Sequence, residues 1–410
     1  MSKFRLAHLG LALAALGFTA AVPVVGLAPA YAAETLRPEV GKPLQEAQQL
    51  MKQGKNKEAL NRLHDLDKVG NKSANETYLI ERTRAGAASS AGDYAAAAKS
   101  FEYLIGSGKL SASEKAQMSK GLIGIYMRGG DLGKANAAIQ AQLKERDDPE
   151  LRAYLLQNYY KQGNTAALET ELRNAEKNGR MSEDQLGMLA NIQLKKGDKV
   201  GYVNTIEKLA ANYPKTQYWT DLLNRVQGKP GFSGRLAVDI YRLKLANGLL
   251  KKPSEYMEMA QLVLQAKAPA EAIKIIDKGY KAGALGTGAD AARHQRLKDL
   301  AEKTLADQNK NLAATEAQLT KDNDSDGMAS LGYALVQSGQ VDKGLKMMEA
   351  ASKAKDLKHP EDVKLHLGEA YAAAGKKQQA ISTLKTVGGN DGAADLARYF
   401  IMAINKPISG

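Results

Sequence analysis

A short acidic segment is the first candidate for chemistry in this sequence. Residues 322–327 read Asp-Asn-Asp-Ser-Asp-Gly, which is how the calcium-binding loop of an EF-hand begins. The twelfth position of such a loop should supply a bidentate glutamate, but here it is Tyr333. Asp and Ser also cap helix N-termini. We therefore predict that this segment is a turn that caps a helix.

Other candidate catalytic and metal sites are incomplete. Residues 106–109, Gly-Ser-Gly-Lys, resemble the end of a phosphate-binding loop, but Leu110 stands where the magnesium-binding Ser or Thr should be. Of the five histidines, His359 and His366 lie seven apart, and Pro360 separates them into a loop and a helix. The chain has no Cys, which excludes thiol catalysis, disulfides and thiolate-bound zinc. We expect no metal, no cofactor and no enzyme activity.

The N-terminus carries an export signal. Lys3 and Arg5 precede a nearly continuous apolar stretch over residues 6–25, and Ala30 and Ala32 supply small residues for cleavage. That order is typical of a secretory signal peptide. The sequence predicts a signal peptide over residues 1–32, with cleavage there or one residue later, and a periplasmic location. An uncleaved inner-membrane anchor is the alternative.

The charge of the chain does not indicate a nucleic-acid partner. The formal net charge is +13, and Lys and Arg are interleaved with Asp and Glu without a long basic run. Dispersed charge of this kind is typical of solvated helix faces. Export also separates the protein from nucleic acid. After signal cleavage we expect no integral membrane span.

A repeat of about 35 residues runs through the rest of the chain. Each unit has a turn glycine, a small residue five positions later and a large apolar residue four beyond that. The clearest units are Gly54, Ala59, Leu63; Gly92, Ala97, Phe101; Gly130, Ala135, Ile139; Gly339, Gly344, Met348; and Gly375, Ala380, Leu384. Units at Gly163 and Gly197 carry Leu168 and Tyr202 at the small position, and one further unit has Lys267 in place of glycine. Glycine permits a tight helix–helix turn, so the pattern predicts stacked helix pairs.

These residues resemble the tetratricopeptide repeat (TPR) family. Residues 367–371, Leu-Gly-Glu-Ala-Tyr, followed by Gly375 and Ala380, match the spacing of that family. The resemblance implies an all-α, right-handed α-solenoid of about ten TPR-like helix–turn–helix pairs. We assign an N-terminal TPR-like array to residues 33–215 and irregular helical repeats to residues 216–320. C-terminal TPR-like repeats with a capping helix take residues 321–410.

A closer resemblance concerns three segments. Residues 34–40, 288–294 and 392–398 look like periplasmic TPR proteins associated with TonB-type systems of Gram-negative bacteria. That resemblance implies a scaffold or adaptor for protein–protein interactions in the cell envelope, accessory to TonB-dependent transport. The alternative is an envelope enzyme or small-ligand-binding component with a site in the irregular middle region.

The TPR register also implies which side chains line a concave groove. Counting from the turn glycine at position fifteen, the groove positions are the second, fifth, ninth, twelfth and thirteenth. The selected residues of the N-terminal array are Arg82, Lys120, Arg128, Gln157, Tyr160, Lys161, Asn191 and Lys195. The last two repeats instead offer Asp326, Tyr333, Asp362 and Glu369. We therefore predict a groove that is basic in its N-terminal half, and an acidic or amide-rich extended peptide segment of another protein as partner.

Overall fold

The structure is a computed structural model that describes residues 36–179 and 181–406. Over these ranges the chain is helical and forms no β-strand, so the all-α prediction is confirmed. The predicted signal peptide lies outside the described residues. Within the described ranges, no helix is long and apolar enough to cross a membrane.

Within the described residues, twenty-one α-helices follow one another along the chain, arranged largely as pairs of consecutive helices. The first eight are α1 (Pro38–Lys52), α2 (Asn56–Asp65), α3 (Ala74–Ala91), α4 (Tyr94–Gly106), α5 (Ala112–Gly129), α6 (Leu132–Glu145), α7 (Pro149–Gln162) and α8 (Thr165–Asn178). The next six are α9 (Glu183–Lys196), α10 (Lys199–Asn212), α11 (Thr216–Gln227), α12 (Ala237–Ala246), α13 (Pro253–Gln265) and α14 (Pro269–Lys281). The last seven are α15 (Ala291–Lys310), α16 (Leu312–Lys321), α17 (Ser325–Gln337), α18 (Val341–Ala351), α19 (Pro360–Ala373), α20 (Lys377–Leu384) and α21 (Ala393–Asn405). Short 3₁₀ turns occupy Leu66–Lys68 and Gly234–Leu236. Ten pairs and a final single helix match the predicted solenoid.

The chain divides into two compact units. Among the described residues, unit 1 ends at Asn174 and unit 2 begins at Ala175, so the division falls within α8. This division concerns compactness, whereas the domain boundaries predicted at residues 215 and 320 concern the regularity of the repeats. Those boundaries stay a prediction.

Two of the turns within the pairs are formed by a glycine and the aspartate that follows it. Gly92 and Gly130 end their helices with φ of 81° and 79°, in the left-handed region that favours glycine. Asp93 and Asp131 follow them, and each accepts a 3.0 Å hydrogen bond from a backbone N–H of the next helix. All seven predicted turn glycines have positive φ. Lys267, predicted at the same position of a degenerate unit, adopts φ of 60° without being glycine.

Small residues on the second helices let the pairs approach closely. Ala59, Ala97 and Ala135 are fully buried, and so are the large residues four positions after each of them. In the pair α17–α18, a Cβ atom on Gly344 would collide with the carbonyl oxygen of Gly332. The pattern read from the sequence therefore specifies the contact between the two helices of a pair.

Unit 2 departs from a simple array because its end returns to its beginning. Helix α21 packs against α10 and α12 as well as against α19 and α20. Trp219 of α11 meets Tyr399 of α21 edge-on, with ring centroids 6.4 Å apart. The backbone N–H of Ser233 donates to the carbonyl oxygen of Asp391 at 2.9 Å. One apolar core cluster extends from Val238 of α12 to Ala380 of α20, so it joins residues more than a hundred positions apart in sequence.

Candidate protein-binding surfaces

The first helices of unit 1 present a polar surface. We call it the first-helix face and define it by Arg82, Lys120, Arg128, Gln157, Tyr160 and Lys161 on α3, α5 and α7. Capping fixes the start of two of these helices: Ser111 and Glu114 form a reciprocal capping box on α5, and Asp148 caps α7. The predicted residues of unit 1 are therefore carried by rigid, capped elements.

Two of the four cations on this face have acidic neighbours on the next first helix. Lys120 Nζ lies 2.8 Å from Asp148 Oδ2, and this hydrogen bond lowers the pKa of Asp148. The pKa of Glu114 is lowered mainly by its hydrogen bonds to Ser111, with a further contribution from the charge of Arg82. The Lys120–Asp148 hydrogen bond connects α5 to the start of α7, and the charges of Arg82 and Glu114 attract each other between α3 and α5. They also neutralise part of the charge that the sequence assigned to the groove.

The other two cations are available to a ligand. Arg128 and Lys161 are exposed, and among the described residues neither has an acidic partner within ion-pair distance. Beside Lys161 in the sequence, Tyr160 is 45% exposed, and Gln157, one turn earlier on α7, is half-buried. An aromatic ring, an amide and two uncompensated cations are the side chains with which this face can hold a polar segment.

The remaining two predicted residues lie in unit 2. Lys195 is exposed in the last turn of α9, and Asn191 is half-buried one turn before it. The assignment of all eight residues to a peptide groove stays a prediction, because no bound partner tests it.

The last two pairs of unit 2 form a different kind of surface. Segment 235–242, which includes most of the first two turns of α12, faces α19 through three contacts with one constant offset in sequence. Arg235 pairs with Asp362, Asp239 with His366 and Arg242 with Glu369, each 127 residues apart. Residues spaced 0, 4 and 7 share one face of a helix. We call these six side chains the charged zipper.

Arg242 lies at the centre of the zipper. Its Nε and Nη2 bind both carboxylate oxygens of Glu271 on α14, at 2.9 and 2.8 Å. Its Nη1 donates to Asp239 at 2.8 Å and to Glu369 at 3.0 Å. The guanidinium also lies over the ring of Tyr333, 4.4 Å from its centroid. All of these groups are at least nine-tenths buried, so the interaction joins α12, α14, α17 and α19 inside the unit.

The outer contact of the zipper is more exposed. Arg235 binds both oxygens of Asp362, with Nε–Oδ2 at 2.5 Å and Nη2–Oδ1 at 3.1 Å, and also contacts Asp391. The side chain of Arg235 is 32% exposed. These hydrogen bonds raise the pKa of Arg235, with the bond to Asp362 contributing most.

The zipper overturns the prediction of an open groove in the last two repeats. Tyr333, Asp362 and Glu369, which the register assigned to the groove, are all buried beneath the chain's own segment 235–242. Sequence reasoning missed Arg235 and Arg242 because both lie in the irregular region between recognisable repeats. The available signal was the pair Asp239 and Arg242 inside the mainly apolar stretch 236–245, since a buried arginine requires acidic partners.

Comparison with known proteins adds no family assignment. No model of a known protein family matches the sequence, and no curated protein matches it. Among solved structures, similarity extends to the complex Naa15/Naa10 bound to HypK-THB, with 15% identity, a TM-score of 0.34, and coverage of 87% of this chain and 63% of that one. A tetratricopeptide repeat protein from Parabacteroides merdae gives 13% identity, a TM-score of 0.22 and coverage of 68% and 95%. The TPR domain of P58(IPK) gives 12% identity, a TM-score of 0.21, and coverage of 88% of this chain and 98% of that one. The assignment of helix pairs therefore rests on the turns and contacts described above.

The acidic segment 322–327 is a capped turn, as predicted. Asp324 caps α17 by accepting a 2.8 Å hydrogen bond from Gly327 N–H, and Asp326 accepts one from Lys358 N–H at 3.0 Å. Within the described residues, no group of three or more acidic or histidine side chains is placed to hold a metal ion. The Gly-Ser-Gly-Lys segment ends α4, and Lys109 Nζ lies 5.2 Å from the centroid of the Tyr78 ring.

A cleft opens in the irregular middle region of unit 2. Its volume is about 380 Å³, and its lining includes the apolar side chains of Ile273, Leu305 and Leu312 from α14, α15 and α16. Lys274 Nζ donates a 2.6 Å hydrogen bond to the carbonyl oxygen of Gln337 at its edge. The cleft arises because α15 and α16 pack more loosely than the regular pairs: no residue of α16 is fully buried.

Proposed function

We propose that this protein is a periplasmic scaffold that binds other proteins through the first-helix face of unit 1. The observation that supports the proposal is the placement of Arg128 and Lys161, exposed on neighbouring first helices and without an acidic partner among the described residues, with the exposed ring of Tyr160 beside Lys161. Stacked first helices form the continuous surface on which repeat proteins bind extended ligands. The resemblance noted in the sequence adds an accessory role in TonB-dependent transport to this proposal.

The side chains of the face define the ligand. Two uncompensated cations and an amide favour a segment with carboxylate or amide side chains, held by several dispersed contacts. Such contacts are partly solvated, so each should contribute about 0.5–1.5 kcal/mol. Binding should weaken as salt is added, because exposed charges are screened over about 8–10 Å at physiological ionic strength.

A charge reversal with a matched control tests the face. We expect Arg128→Glu/Lys161→Glu to lose binding to fluorescent peptides rich in Asp, Glu, Asn and Gln. The control is Lys99→Glu/Lys144→Glu, which makes the same change in net charge at exposed positions on the second helices α4 and α6. Equal binding by both variants, with unchanged circular dichroism, would show that this face is not the binding surface.

Localisation needs a separate measurement. Mass spectrometry of the native protein from a periplasmic fraction should find a mature N-terminus at residue 33 or 34. Retention of residues 1–25 on membrane-bound protein would instead favour the anchored alternative.

The cleft of the middle region is the candidate site for the alternative function, the binding of a small ligand. Because its lining combines the apolar side chains of Ile273, Leu305 and Leu312 with polar residues that include Lys274 and Asn309, it suits a small molecule with an apolar body and a polar group. Native mass spectrometry of the purified full chain would reveal such a ligand. A copurifying small molecule lost on Ile273→Trp would support a ligand-binding component, whereas its absence beside intact peptide binding would favour the scaffold.

A further inference from the structure

The buried part of the charged zipper contains more acidic than basic side chains. Asp239, Glu271 and Glu369 surround the single guanidinium of Arg242, and His366 lies at the edge, 3.1 Å from Asp239. With every carboxyl ionised and His366 neutral, the cluster would carry two uncompensated negative charges. Burying uncompensated charge is costly, and a protein normally binds protons instead. Neutrality requires two bound protons, and His366 with one of the carboxyls can hold them.

Two unsatisfied oxygens support this count. Asp239 Oδ2 and Glu369 Oε1 are buried and accept no hydrogen bond. A buried carboxylate oxygen without a donor is strongly disfavoured while it is charged. The charges of His366 and Arg242 offset this cost for Asp239, so the proton is expected on Glu369. Glu369 faces Arg242 of α12, Tyr333 of α17 and the more distant charges of Glu271, Asp239 and His366.

We propose that the contact between α12 and α19 is a latch that stays closed only while its buried side chains hold two protons, and that losing them uncovers the face of α17 and α19 that segment 235–242 covers. That face carries Tyr333, Asp362 and Glu369, the groove positions that segment 235–242 covers in the closed unit. The latch is independent of ligand binding by unit 1.

The direction of the pH effect follows from the two proton-holding groups. Burial raises the pKa of Glu369 to about 8. Burial lowers the pKa of His366, but the charge and hydrogen bond of Asp239 outweigh it and leave the pKa raised. Both groups bind protons more tightly in the closed unit than in an opened chain. The stabilisation is therefore fully present at low pH for each group and is lost as pH rises through its raised pKa.

The pKa of Asp239 is shifted in the opposite direction to the pKa values of Glu369 and His366. Burial raises its pKa, but His366 and Arg242 together lower it overall. It therefore remains ionised over the pH range in which the latch opens, and it supplies the charge that holds the proton on His366. Arg242 stays charged throughout, since its pKa is raised well above the ordinary value.

Hydrogen exchange of the full chain between pH 6 and pH 9 tests the latch. After correction for the intrinsic pH dependence of exchange, amides of α12 and α19 should exchange faster as pH rises. One released proton makes opening up to tenfold more favourable per pH unit. Amides of α5 and α7 in unit 1 should show no such change. Corrected rates of α12 and α19 that do not depend on pH would overturn the proposal, as would an equal acceleration in unit 1.

Glu369→Gln provides the decisive variant, because the amide imitates a permanently protonated carboxyl with nearly the same shape. Between pH 7 and pH 8, the corrected exchange rate of amides in α12 and α19 should rise with pH about tenfold less per pH unit in this variant than in the wild type. The control is Glu349→Gln, which alters a partly buried carboxylate of the same unit that accepts a hydrogen bond from Tyr371. A slope unchanged by Glu369→Gln, or reduced equally by Glu349→Gln, would refute the assignment of the proton to the zipper.

Discussion

Replacing Arg242 by methionine tests how much the charged zipper contributes to the stability of unit 2. Methionine keeps a long apolar stem but removes the guanidinium that Asp239, Glu271 and Glu369 share. Breaking a buried ion pair by removing one partner costs about 3–5 kcal/mol, because the remaining charge stays buried. Domains have a total free energy of unfolding of about 5–15 kcal/mol. We therefore expect Arg242→Met to unfold unit 2 at a much lower urea concentration.

The chain contains a convenient reporter for this experiment. Trp219 is its only tryptophan, and it is fully buried in α11 of unit 2. Its fluorescence follows unit 2, whereas far-ultraviolet circular dichroism follows the helices of both units. Arg242→Met should move the fluorescence transition and leave part of the circular dichroism transition in place.

Arg225→Met is the matched control for the loss of a guanidinium. Arg225 belongs to the same unit, but its side chain is 35% exposed and pairs with Asp221 one turn away. Such a pair contributes about 0–1 kcal/mol. If Arg242→Met lowers the free energy of unfolding no more than Arg225→Met does, the zipper does not hold unit 2 together.

Three further predictions concern local features. Lys267→Gly should stabilise unit 2 by about 0.5–1 kcal/mol in urea unfolding, because glycine adopts a left-handed backbone without strain. Gly92→Ala should destabilise unit 1 by about 1 kcal/mol for the same reason. Effects of the same sign in the two variants would contradict this reasoning. Ser111→Ala should cost about 1 kcal/mol by removing a capping box, with faster hydrogen exchange confined to the start of α5. The hydrogen bond from Arg37 lowers the pKa of Glu76 to about 2, so acid should destabilise the wild type progressively between about pH 4.5 and 2. In an acid titration followed by circular dichroism, Arg37→Met should lose less stability over this pH range than the wild type does.

The pairing of helices could be predicted from the sequence because it depends on near neighbours in the chain. Gly130 with Asp131 encodes a turn and a cap within two residues, and Ala135 encodes the close approach that follows. Even Lys267 could be placed at a turn, since the small and large residues after it keep their spacing. Its left-handed backbone shows that packing of the pair outweighs the local preference of lysine.

The surfaces could be predicted only in part, because charge balance depends on residues far apart in sequence. Register placed Lys120 on the first-helix face but gave no sign that Asp148, on the next first helix, would neutralise it. For the last two repeats, register assigned Glu369 to the groove. It could not reveal that an arginine 127 residues earlier would cover that position. A repeat pattern predicts contacts between neighbouring helices, but it does not predict contacts between distant parts of the chain.

The constant offset of 127 residues in the zipper has a consequence for how the chain folds. An ordinary repeat array can fold outward from any repeat, because each repeat needs only its neighbours. Unit 2 instead contains contacts of large sequence separation, which slow folding because a long loop must close first. During synthesis, Arg242 emerges long before Glu369 does, so the acidic partner on α19 is still absent. Removal of the last two helices should therefore disturb α10 and α12, far away in sequence, and not merely shorten the array.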